Sequence, residues 1–105
     1  MIARTWHGIV PKEKGDAYYD YLQETGLHDY QQTAGNRGVQ VLRSDEADTT
    51  HFLLITFWES YDAIIAFAGA DYQKARYYPE DQDYLLELEP HVRHYTVLDA
   101  STNLP

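Results

Sequence analysis

The stretch His51-Phe52-Leu53-Leu54-Ile55-Thr56-Phe57-Trp58 decides the fold. It is apolar at nearly every position, so both faces of the strand it forms are apolar. Such a strand belongs at the centre of a sheet, covered on both sides. On its C-terminal side Ser60 is placed to cap a helix, and Asp62 falls in the first turn, where a negative charge favours the helix dipole. That helix carries Ile64, Ile65, Phe67 and Ala68, and Gly69 can end it. On the N-terminal side the polar, acidic run Ser44–Thr50 reads as a hairpin connection to a strand over Asn36–Arg43, which holds Val39, Val41 and Leu42.

Further out, Met1–Val10 is rich in strand formers and stops before Pro11, which has no amide to continue a ladder. Lys12–Thr25 switches to helical spacing, with Ala17, Tyr18, Tyr21 and Leu22 on one stripe. Gly26 is expected to end this helix in a left-handed conformation, with Leu27 folding back on the last turn. His28–Gly35 reads as a short helical turn and loop. Asp71 is expected to cap a short helix through Arg76, and Pro79–Leu88 is expected to be helical in part. His91–Leu98 gives a last strand, and 100–105 a frayed tail. The order β-α-β-β-α-β is that of an α+β, ferredoxin-like protomer: a four-stranded antiparallel sheet with helices on one face, one domain over residues 1–99. No residues remain to cover the second face, so a homodimer packed sheet against sheet is expected.

Composition narrows the function. Among 105 residues, seventeen acids face eight bases, for a formal charge of −9. Without a basic cluster the chain lacks the counterion-releasing contacts of nucleic-acid binding, and an anionic membrane surface is disfavoured for the same reason. No apolar run reaches the length of a spanning helix, and the first residues lack the layout of a signal peptide, so a cytoplasmic location is expected. There is no cysteine, hence no disulfide or thiolate chemistry. Neither H-E-x-x-H, a calcium loop, a phosphate loop nor a nucleophile elbow is present, and no metal or cofactor is called for. Ten tyrosines stand out, grouped at Tyr18-Tyr19-Tyr21 and Tyr77-Tyr78.

Trp58-Glu59-Ser60, followed by Ile64, Phe67 and Asp71-Tyr72-Gln73-Lys74-Ala75-Arg76, resembles the WES…F…F..A pattern of the antibiotic biosynthesis monooxygenase-like proteins. The opening MIARTWHGIVPKEKGDAYYDYL and the closing HVRHYTVL resemble their first strand and helix and their last strand. The resemblance implies a dimeric α+β barrel with a cleft between each sheet and its helices. It also implies membership among cofactor-free monooxygenases of polycyclic aromatics, haem degraders and proteins without established activity. In the haem degraders a tryptophan matches Trp58, but Arg76 stands where their iron-binding histidine lies and Trp6 stands near their first-strand asparagine. The resemblance therefore implies oxygen insertion into an electron-rich aromatic small molecule more readily than haem degradation. A non-catalytic, small-molecule-binding or stress-associated homodimer of the same fold is the alternative.

Seven residues are candidates for such chemistry. His7 or His94 could serve as the base, since imidazoles titrate near neutrality. The first and last strands are not expected to pair, so these two could meet only through the curved face or across a dimer. His91 and His94, three apart on a strand, point to opposite faces and make no local metal site. Arg76, set among Tyr72, Tyr77 and Tyr78, could stabilise an anion; it could equally pair with a surface acid. Trp6, Trp58, Tyr72 and Tyr77 are candidate walls for a planar ligand, although aromatics at such places ordinarily serve packing. Arg4, in a strand, either meets solvent or neutralises something buried.

Overall fold

A computed structural model describes residues 1–101; part of the tail expected over 100–105 lies outside the described residues. Four strands form one antiparallel sheet, β1 (Ile2–Pro11), β2 (Asn36–Asp45), β3 (Thr49–Trp58) and β4 (Arg93–Thr96), in the order β2-β3-β1-β4. After a 3-10 turn at Lys12–Lys14 come α1 (Gly15–Glu24) and α2 (Gly26–Gln32); α3 (Tyr61–Ala68) follows β3, and α4 (Asp81–Tyr84) is a single turn. This is the ferredoxin-like α+β arrangement. No helix among the described residues is long and apolar enough to cross a membrane.

Burial alternates strictly along β3, and the register carries the alternation across the sheet. Thr50, Phe52, Leu54, Thr56 and Trp58 are buried, opposite Val10, Gly8, Trp6, Arg4 and Ile2 of β1. Directly opposed residues share a face, so these form the floor on which α1, α2 and α3 pack through Tyr18, Leu22, Tyr30, Ile64 and Phe67. The other parity of β3, Leu53, Ile55 and Phe57, is only half-buried, beside the exposed Leu42 and Tyr95. The chain itself thus covers one face of a strand that is apolar on both.

Ser60 caps α3, its hydroxyl accepting from Ala63 N at 3.2 Å, and Gly69 ends it at φ 88°, donating its N–H to Ile65 O. Gly35 also has positive φ (89°), and there α3 comes so close that a Cβ would lie 2.5 Å from that of Ala63. No larger residue fits between β2 and α3 at this point.

Several expectations need correction. Gly26 does not end a helix in the left-handed region: it begins α2, and the break falls at Thr25 (φ −114°, ψ −94°), whose hydroxyl turns back onto Tyr21 O. Three of α2's buried or half-buried positions, Gly26, Leu27 and Tyr30, follow helical spacing; a glycine at the break hid it. Asp71–Arg76 is not a helix: the chain turns there and forms a bridge between Lys74 and His91. The last strand is shorter than His91–Leu98: it runs Arg93–Thr96, while His91 bridges to Lys74 and Val92 N donates to Gln73 O. Finally, β1 and β4 do pair, with Arg4 opposite His94.

Candidate functional site

The floor of the sheet is interrupted by one charge. Arg4 stands in phase with Ile2, Trp6 and Val10 and is only 2% exposed. Its Nη2 donates to Lys74 O at 3.3 Å, and its Nε has no hydrogen-bond partner. A buried guanidinium without a carboxylate is costly. Burial accordingly lowers the affinity of Arg4 for its proton, an effect the Tyr30 phenol offsets in part and the Arg76 charge adds to.

Around Arg4 lies a cavity between the sheet and the helices. Trp6 and Leu54 form its floor, Tyr18, Leu22 and Tyr30 its helical wall, and Arg76, Tyr78 and Asp81 its outer wall. Its free space is ≈ 20 Å³, room for about one water. The outer wall comes from the irregular segment after α3. There Arg76 donates to Phe67 O at 3.1 Å and lies over the Phe67 and Tyr78 rings at 4.9 and 5.3 Å. Tyr78 donates to Asp29 on α2, which holds the Asp29 carboxyl below its ordinary range. Among the described residues Asp81 is the one carboxylate lining the cavity. It accepts from Tyr18 Oη at 2.9 Å and from Tyr78 N at 2.6 Å, yet burial outweighs these bonds and raises its carboxyl above the ordinary range. Burial likewise holds the Tyr18 and Tyr30 phenols protonated.

Two guanidiniums and one carboxylate whose proton affinity burial raises thus line a site walled by rings. The arrangement can hold an anionic oxygen and can accept a proton. A haem iron does not fit it. Among the described residues no imidazole, thiolate or thioether lines the cavity, the Tyr18 and Tyr78 hydroxyls are bonded to carboxylates, and the Tyr30 phenol is held neutral by burial.

The structure brings two of the seven sequence candidates to this cavity, Trp6 and Arg76. Trp58 is fully buried and does not line it; its Nε1 donates to Thr56 Oγ1 at 2.8 Å, and it packs on Tyr30 and Phe67. Tyr77 packs edge-on against Trp6 and donates to Glu89 O. Tyr72 and His94 lie near the sheet edge, in a separate surface depression lined also by Tyr61 and His91. Burial, with the Arg4 charge, lowers the proton affinity of His94, whose Nε2 is buried without a partner. His7 is on the opposite face of the sheet from His94, so the two do not converge. Arg4, Tyr30, Tyr78 and Asp81 were not among the candidates. Parity could have found Arg4: it is the even-numbered charge among the even-numbered apolar residues of β1.

The chain matches the family model described as antibiotic biosynthesis monooxygenase over residues 8–77. No curated protein sequence matches it. Among solved structures, a candidate antibiotic biosynthesis monooxygenase from Bacillus cereus superposes with a TM-score of 0.68 at 13% identity, over 96% of both chains. The haem degrader MhuD from Mycobacterium tuberculosis, with two haems bound in its active site, gives 0.64 at 20% identity over 97% of this chain and 100% of its own. A protein of unknown function from Nitrosomonas europaea gives 0.66 at 13% identity over 99% and 95%. These likenesses are of fold. The family match spans more than half of the chain, and on that ground the chain belongs to the antibiotic biosynthesis monooxygenase family.

Proposed function

We propose that this chain is an oxygenase of an electron-rich polycyclic phenol, working as a homodimer with one sheet–helix cavity per protomer and no cofactor. One observation carries the reading: the buried Arg4 Nε, unpartnered beside a cavity that a second guanidinium also faces. Such a site favours an aromatic that has lost a proton. Asp81 takes the proton, and Arg4 and Arg76 hold the resulting oxyanion. The anion gives one electron to dioxygen, and the radical pair joins to form a carbon–oxygen bond. The hydroperoxide then loses water. Both hydrogens of the reacting ring CH₂ are removed, one oxygen atom stays as C=O and the other leaves in water. Trp6 and Tyr30 supply the walls. The homodimer reading rests on the half-buried Leu53, Ile55 and Phe57 and the exposed Leu42 on the uncovered sheet face.

The ≈ 20 Å³ of free space favours a second reading, a non-catalytic binder. An aromatic ring enters only if the segment carrying Arg76 and Tyr78 moves off α2. A hydroxyanthrone mixed with the protein under ¹⁸O₂ separates the two readings. The oxygenase reading expects ¹⁸O in a quinone product, with turnover reduced about 100-fold or more in Arg4→Met, as when a buried oxyanion donor is removed. A phenolate absorption band without oxygen uptake favours the binder. Neither band nor uptake removes both.

A further inference from the structure

On the uncovered face of the sheet four side chains from four parts of the chain form a continuous line. Glu89, from the segment after α4, meets His7 Nδ1 at 2.5 Å. His7 Nε2 meets His51 Nδ1 at 2.9 Å, with the rings stacked 5.2 Å apart. His51 Nε2 meets Glu46, from the β2–β3 turn, at 3.3 Å. The two histidines are diagonal neighbours: His7 registers with Leu53, and His51 with Ile9. The Glu89 end is fixed independently, by Leu86 N donating to Ile9 O and Tyr77 Oη donating to Glu89 O.

Each of these three contacts needs one proton. Two neutral imidazoles carry two protons between them. With two, at least one of the three contacts sets a lone pair against a lone pair, whichever tautomers the rings take. We propose that the Glu89–His7–His51–Glu46 line is a proton-binding site: it takes up one proton beyond two neutral imidazoles, and on losing it the line breaks. The line carries −1 with that proton and −2 without it. Among the charges nearby, Arg93 lies on β4, where its register partner Thr5 precedes His7 by two residues, and Lys12 and Asp48 lie exposed beside the β2–β3 turn, with Lys12 N donating to Asp48 O. Ser44, opposite His51 on β2, is uncharged, and Glu87, in the segment of Glu89, is exposed.

The consequence for assembly rests on the reading that a second copy covers this face. There, loss of the proton leaves an unsatisfied polar contact and raises the repulsion between two copies. The sheet-to-sheet dimer therefore loosens as pH rises.

Long-range ¹⁵N–¹H spectra of the histidines of the full chain, from pH 5.5 to 8.5, test the proton site. His7 and His51 are expected to titrate together in one step, and His51→Gln is expected to shift the His7 titration. Independent titration of the two rings overturns the proposal, as does a His7 curve untouched by His51→Gln. Glu46→Gln, in an exposed turn, serves if His51→Gln does not fold. Sedimentation at pH 6 and 8.5 tests the coupling, with a dimer dissociation constant expected to rise about tenfold, about 1.4 kcal/mol, and to lose its pH dependence in His51→Gln. An invariant constant in a dimeric wild type overturns the coupling. A chain monomeric throughout, with the two rings still titrating together, overturns the second-copy reading and upholds the proton site.

Discussion

Phe57 and Trp58 are adjacent in the chain and live in different environments. Trp58 is wholly enclosed by Tyr30 and Phe67, and its indole N–H is satisfied by Thr56. Phe57 is half-buried on a face that no helix among the described residues covers. The same division runs along the two central strands, β1 and β3. The helix-side face holds the large rings, the lone buried arginine and the cavity. The other face holds Leu53, Ile55 and Phe57 together with a line of histidines and glutamates. One face is covered by the chain's own helices; the other is left half-buried.

The largest expected effect breaks the first face. Trp58→Ala removes a fully buried indole and the N–H that Thr56 Oγ1 accepts, at a cost of about 3–5 kcal/mol, read as a lower urea midpoint in equilibrium unfolding. Phe57→Ala is expected to cost about 1 kcal/mol within the protomer, where less area is lost. Its larger effect is on assembly, with the dimer dissociation constant raised at least about tenfold in sedimentation. Equal losses of stability in the two variants, with no change in assembly, would show that the faces are not different in kind.

Much of this division was legible in the sequence. The apolar run His51–Trp58 placed a central strand, the Ser60 cap and Gly69 bounded α3, and the count of elements left one face bare. The start of α2 was not legible. A glycine after a helix ordinarily marks its end, and only tertiary packing of Tyr30 against Trp58 and Phe67 continues helical structure past it. The site was harder still. Resemblance points to Trp58 and Tyr72, and titration near neutrality to His7 and His94. The cavity instead gathers residues from β1, α1, α2, β3 and the segment after α3, which no local spacing joins. The Arg76–Tyr78 stretch was noticed for its chemistry, but its partners Asp29 and Asp81 become neighbours only through the fold.

Arg4 sharpens the comparison at the cavity itself. A buried cation with no carboxylate partner contributes little to stability and costs desolvation. Arg4→Met, similar in length and apolar, is expected to leave stability unchanged or to raise it by about 1 kcal/mol, while phenolate binding is lost. A drop of about 3 kcal/mol or more in unfolding free energy would instead make Arg4 a structural cation held by Lys74 O and Tyr30, and would weaken the case for an anion site.

The smallest expected effect concerns acid, and here the two faces are expected to differ in sign. His94, opposite Arg4, has its proton affinity lowered by burial and then by that charge. The folded chain therefore binds fewer protons at His94 than the unfolded chain. Its contribution is complete above the ordinary histidine range, near pH 6.5, and is lost as pH falls below it. His94→Phe keeps a ring against Tyr61 and Tyr72 and removes the unpartnered Nε2, so it is expected to flatten the loss of stability on acidification. On the other face, the proton counted into the Glu89–His7–His51–Glu46 line makes acid favourable, and His51→Gln is expected to steepen that loss. Melting temperatures of the three proteins between pH 8 and pH 5 read both effects at once. The gap between His94→Phe and wild type should widen in favour of the variant as acid is added, while that between His51→Gln and wild type widens against it. If both gaps move the same way, the faces respond to protons alike, and the contrast between a face that disfavours a proton at His94 and a face that holds one fails at its most specific point.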